Sequence, residues 1–193
     1  QLELIFNLIF IHKLKSIELE NMKVINSVYK SMNKSEFDAI FYIVSNYIVK
    51  KAKYIKIFET AYFDHEIIYN EIFYEYGKDS NPLSDLTLKA KFHTFLTKVT
   101  QSSPLNDEDY LDISKHQDVK FKMKDEDFTN FIFKFLAYAI YRIRCSIAHN
   151  KLGEFMFTME QDHLDFMVDV GLPLIRETVV DVYSNQLFRE IFD

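Results

Sequence analysis

Residues 128–150 read Phe-Thr-Asn-Phe-Ile-Phe-Lys-Phe-Leu-Ala-Tyr-Ala-Ile-Tyr-Arg-Ile-Arg-Cys-Ser-Ile-Ala-His-Asn, a pattern that points to a buried helix. Phe128, Phe131, Phe135 and Ala139 recur at helical spacing, and the next positions on that stripe are Arg142, Cys145 or Ser146, and His149. A strongly apolar helix therefore turns polar at one end. Only three glycines and three prolines occur in 193 residues, too few for the turns that a sandwich, barrel or Rossmann sheet consumes. Hydrophobic residues make up 48% of the chain, with 19 Phe, 12 Tyr and no Trp, so the core is expected to be aromatic rings packed between helices. The expected fold is an all-α bundle of about five to seven helices, forming a single domain over residues 1–193.

Working outward, Leu4, Leu8 and Ile11, then Met22, Ile25 and Tyr29 after a restart at Ser16, place one or two helices in residues 2–31. Asn33 with Glu36 forms a candidate capping box ahead of Phe37, Ile40, Phe41, Val44 and Ile48. A second stripe runs through Ile57, Ala61, His65, Ile68 and Ile72 to Gly77, with the break between the two placed near residues 50–56. Gly77 to Pro82 concentrates turn formers, and Ser84 or Asp85 caps a helix with Leu88, Phe92, Phe95 and Val99. Residues 101–126 are polar and read as a long loop or insertion, the expected mobile part. After the opening stretch, Gly153 is the expected terminator. Thr158 with Gln161 offers a capping box for a helix with Leu164, Met167 and Val170, and Pro173 should kink or split it before Ile175, Val179, Val182 and Leu187.

Charge and cysteine content narrow the function. The net charge of −6 repels nucleic acid at long range, so any RNA contact must be local. The single cysteine, Cys145, excludes an intrachain disulfide and a cysteine metal framework, and fits a reducing cytoplasm, the expected location. Leu2 to Ile11 is about half the length that spans a bilayer and lacks targeting flanks, so no membrane association is expected. The numbering begins at Gln1 without an initiator Met, which leaves room for the chain to be a piece of a longer protein. A carboxylate di-metal bundle needs two Glu-x-x-His motifs, and only Glu160 to His163 qualifies. No metal site and no cofactor are expected. Cys145 on a helix is read as packing and not as a nucleophile.

Arg144 stands five positions before His149, while Arg142 stands seven before it, nearly two full turns and hence the same face of an uninterrupted helix. Geometry alone does not choose between them. Metal-free RNA cleavage, in which the ribose 2′-hydroxyl attacks its neighbouring phosphate, needs a group titrating near neutrality and a fixed cation beside the pentacoordinate phosphorus. Histidine and arginine supply both. Ser146 and Asn150 are placed to orient the imidazole or take a phosphate oxygen, and Lys151 is a candidate substrate contact. Lys50, Lys51, Lys53 and Lys56 read first as a solvated face. A second use for them is guiding RNA, together with Lys120, Lys122 and Lys124. His12, His65, His93 and His116 are isolated, and His65 on its apolar stripe reads as packed.

Arg-x4-His with Ile147-Ala148 before the histidine resembles the Arg-x4-6-His pattern of the HEPN superfamily. That resemblance implies a compact helical bundle that dimerises so that two motifs face one cleft, and an endoribonuclease acting on single-stranded RNA in toxin or antiviral defence. It implies Arg144 and His149 as the catalytic pair; beside them Arg142, Ser146 and Asn150 are read from their positions as supporting residues, and RNA, a second copy and a regulatory or antitoxin protein are the expected partners. Two positions depart from the family. Cys145 stands where a polar residue often follows the arginine, and Lys151 replaces the tyrosine that a partner nucleotidyltransferase modifies in some toxins, so that antitoxin mechanism is not expected. Two blander readings stand beside it. One is a catalytically inactive HEPN-like domain that dimerises or binds RNA or protein. In the other, Arg142 and Arg144 are ordinary helix C-terminal cations and His149 a cap.

Overall fold

A computed structural model describes residues 35–77, 79–103, 106–121, 123–148 and 154–190. Every regular element among them is helical, and the protein is an all-α bundle. In chain order the helices are α1 (Glu36–Tyr47), α2 (Ala52–Asp64), α3 (Glu66–Asn70, running on as a π turn at Glu71–Glu75) and α4 (Leu86–Gln101). They continue with α5 (Asp107–Lys115), α6 (Asp125–Ala148), α7 (Gln161–Phe166, running on as a π turn at Met167–Gly171), α8 (Leu172–Ser184) and α9 (Gln186–Arg189). None is long and apolar enough to cross a membrane.

Residues 128–148 lie within α6, and it is the central rod. From Phe131 to Ile140 buried apolar side chains occupy nearly every position around its circumference, Lys134 being the exposed exception. A helix apolar all round must be covered on all sides. The cover comes from α1, α2, α4, α5, α8 and the first π turn. Phe135 is the hub. Its ring lies 4.6 Å from Phe58, 5.0 Å from Phe73 and 5.0 Å from Phe92 by centroids, in tilted and edge-on arrangements that suit the aromatic quadrupole. Each such fully buried ring contributes roughly 1.5–3 kcal/mol from water exclusion.

Several local expectations are corrected by the structure. The capping box of α1 is formed by Ser35 and Asp38, two positions beyond the expected pair, whose Asn33 lies outside the described residues. The break before α2 comes at Ile48–Lys51. There the free N–H groups of Lys51 and Ala52 donate to the Asp107 carboxylate at 2.9 Å and 2.7 Å. Residues 101–126 are not one loop. Asn106 and Asp109 make a second capping box and start α5, whose acidic first turn and Lys115 near its end suit the helix dipole. Asp85 caps α4 as expected, accepting from the N–H groups of Thr87 and Leu88.

Near the C-terminal end Thr158 does not cap α7 in a box with Gln161. Its N–H donates to His163 Nδ1 at 2.9 Å, and Gln161 turns instead to Asp165. Pro173 is accommodated without a broken rod, because the wide turn at Met167–Gly171 precedes it and leaves it in the first turn of α8. Leu187 is exposed and Phe188 is buried in its stead. The chain leaves helical conformation at Asn185, whose side chain donates to the Tyr47 carbonyl and accepts from the Leu187 N–H, and this shifts the phase of α9.

Candidate functional site

The last two turns of α6 carry Arg142, Arg144 and Ser146. Residues two apart on a helix point about 200° away from each other, and the two arginines accordingly have opposite surroundings. Arg142 points inward and is 1% exposed, the largest fully buried side chain of the core. Arg144 points outward, 40% exposed at its side chain, and forms an ion pair with Glu36 at the start of α1. Phe37 fixes α1 at this level, with its ring edge-on to both Tyr138 and Tyr141.

Arg142 is unusual in what it lacks. Its nearest carboxylate is Glu154, with Nη1 to Oε2 at 3.9 Å, and its Nε and Nη2 have no hydrogen-bond partner among the described residues. A buried guanidinium has five N–H donors, and leaving donors unmatched away from water costs on the order of 1–3 kcal/mol per group, more when charged. Such an orphan calls for a functional or structural reason. Ser146 is buried, and its hydroxyl donates to the Arg142 carbonyl at 2.8 Å, so its proton is committed to the helix backbone. Cys145 is buried beside Tyr141, and desolvation together with that thiol raises the Tyr141 phenol above its ordinary value.

His149, Asn150 and Lys151 lie outside the described residues, as does Gly153. The site is thus placed by its two arginines and Ser146 in the last turns of α6, with Glu154 near Arg142.

The remaining candidates are largely engaged in structure. Lys51 pairs with Asp107 at 3.7 Å, Lys53 bridges Glu177 at 3.1 Å and Asp181 at 2.6 Å, and Lys56 pairs with Glu59 at 2.8 Å. Three of the four lysines of that run are therefore held in ion pairs, and Lys50 is exposed. Tyr54, buried beneath Lys53, donates to Asp181, and burial raises its phenol strongly. Lys122 lies outside the described residues, and Lys120 is exposed. His65 is packed edge-on to Phe166 with Asp169 at 3.2 Å from its Nε2. Burial and the nearby Lys89 push His93 down to about 4, and its Nε2 lies 2.7 Å from the Tyr74 hydroxyl. His163 is spent on the Thr158 backbone and hydroxyl.

Two residues of this site were not legible as site residues. Glu36 was read only as a cap member, although it is the counter-ion of Arg144 across 108 positions of sequence. Glu154 stands just beyond the motif, twelve positions after Arg142, and its approach to that guanidinium is seen only in the structure. A carboxylate near the motif is a recognisable signal for Glu154, and none exists for Glu36. No family model, curated protein or solved structure matches this chain.

Proposed function

We propose that the chain is a metal-independent endoribonuclease of HEPN type acting on single-stranded RNA, in toxin action or antiviral defence. The observation that carries this reading is the buried Arg142 guanidinium, two of whose nitrogens have no partner among the described residues, in the last turns of α6 beside Arg144 of the Arg-x4-His motif. A buried cation without full compensation raises the positive potential at this end of α6, which favours an anionic group beside the exposed Arg144.

In this mechanism the 2′-oxygen forms a bond to the adjacent phosphorus while the bond to the 5′-oxygen breaks. His149 moves the proton, as base toward the 2′-hydroxyl or as acid toward the leaving 5′-oxygen. Arg144, helped by Arg142, stabilises the charge on the phosphorane. The products are a 2′,3′-cyclic phosphate and a 5′-hydroxyl. Ser146 supports Arg142 through the helix backbone, and Asn150 and Lys151 are assigned to orientation and substrate contact. A homodimer with two motifs across one cleft supplies an acid and a base together.

A second reading has its own observation. Leu172, Val180, Tyr183 and Leu187 are all exposed on α8 and α9, apolar side chains that a protein partner would cover. On that reading the domain is a catalytically inactive interaction module. Incubation of the wild type and His149→Ala with labelled single-stranded RNA in EDTA separates the two. Cleavage by the wild type alone, with cyclic phosphate ends, supports the nuclease. Absence of cleavage by a properly folded wild type, or equal cleavage by both proteins, rejects the assignment of His149.

A further inference from the structure

Both cations of the motif face a carboxylate drawn from elsewhere in the chain, Glu154 toward Arg142 and Glu36 onto Arg144. The two contacts differ in kind. Glu154 is set against a guanidinium closed off from solvent, whereas the Glu36–Arg144 pair is about a third open on each side, with side chains 35% and 40% exposed. An ion pair so exposed is weak and exchangeable.

We infer that Glu36 is a further determinant of the proposed RNA site, an internal anion that occupies Arg144 until a phosphate displaces it. The inference rests on the reading of Arg144 as a phosphate-facing cation. A guanidinium presents a planar fork that matches carboxylate and phosphate oxygens alike, so the two compete for the same edge. Glu36 is held in place by its neighbours. Ser35 and Asp38 cap α1 reciprocally without needing Glu36, and Phe37 seats α1 against Tyr138 and Tyr141. The carboxylate is therefore presented to Arg144 by a packed scaffold, while its own removal leaves the cap and the ring contacts intact. In a protein with a net charge of −6 this carboxylate adds to the barrier that a polyanion meets at the motif, and it sets how tightly the chain takes up RNA.

The test uses the full chain and an uncleavable 2′-O-methyl single-stranded oligonucleotide, with binding read by fluorescence anisotropy at two salt concentrations. Cleavage of the corresponding RNA is measured in parallel. Glu36→Gln should bind roughly two- to fivefold tighter than wild type, the scale expected for an exposed charge pair. The gain should appear in KM with kcat unchanged. Glu36→Asp should stay near wild type, and Asp112→Asn, which removes an exposed carboxylate from α5, should change nothing. A purely structural Glu36 would instead lower the melting temperature of Glu36→Gln and leave affinity unchanged or weaker, which overturns the inference. If the wild type cleaves and Arg144→Ala does not, while Glu36→Gln binds like wild type, the gate alone falls and the nuclease stands. If no protein in the series binds or cleaves RNA, both fall together.

Discussion

The carboxylate of Asp107 accepts from the backbone N–H groups of Lys51 and Ala52, so the first turn of α2 is capped by a residue that opens α5, more than fifty positions later. Lys51 itself offers no side-chain cap. Asp107→Ala should therefore destabilise the fold by about 1–2 kcal/mol, the upper part of the range for losing a helix cap. Asp107→Asn should recover part of this. Urea unfolding reads the difference as a lowered midpoint, and equal midpoints for wild type and Asp107→Ala would show that the cap contributes nothing.

Arg142 should separate stability from activity. Replacing a buried, incompletely matched charge by an apolar side chain of similar length is often neutral or stabilising by about 1–4 kcal/mol. Arg142→Met is expected to melt at or above the wild-type temperature and to lose most RNA cleavage. A variant that unfolds readily would show instead that the guanidinium holds the end of α6 together.

His93 gives the fold an acid limit. Its folded value of about 4 lies below the ordinary histidine value of 6.5, so between these two pH values the unfolded chain binds more protons than the folded one. Its contribution is complete above pH 6.5 and is lost as the pH falls toward 4. His93→Gln, which stays neutral and still offers Tyr74 an acceptor, should flatten the fall in melting temperature across that window. An unchanged slope would place the acid sensitivity elsewhere.

Phe135 lies within 5.0 Å, by ring centroids, of three other phenylalanine rings. Phe135→Ala should cost about 3–5 kcal/mol, since rings packed this closely relax poorly into the space left behind. Chemical denaturation checks this, and Phe63→Ala on the exposed face of α2 is the matched control expected to change little.

Much of the architecture is legible in the sequence because burial here follows strong periodicity. Phe128, Phe131 and Phe135 announce α6, and Leu88, Phe92, Phe95 and Val99 announce α4 with its Asp85 cap. Legibility fails where side chains answer to distant partners. The start of α2 rests on Asp107, which no local pattern reveals. The helix α5 was hidden by alternating charge, although Asn106 and Asp109 stood at capping-box spacing. At the site, the seven-residue spacing aligns Arg142 with the His149 face of an uninterrupted helix. The structure gives the two arginines opposite surroundings, one buried and one paired with Glu36, while His149 lies outside the described residues. What spacing could not show was that Arg142 would be closed off with donors unmatched, because exposure depends on which helices flank the last turns of α6.

The all-round apolar surface of α6 also bears on how the chain is made. Translation delivers α6 before α8, one of the helices that cover it, so for a time part of this greasy rod has only water or another protein beside it. A chain halted soon after residue 148 would leave that flank bare and invite clumping, whereas one extended through α8 can close over it.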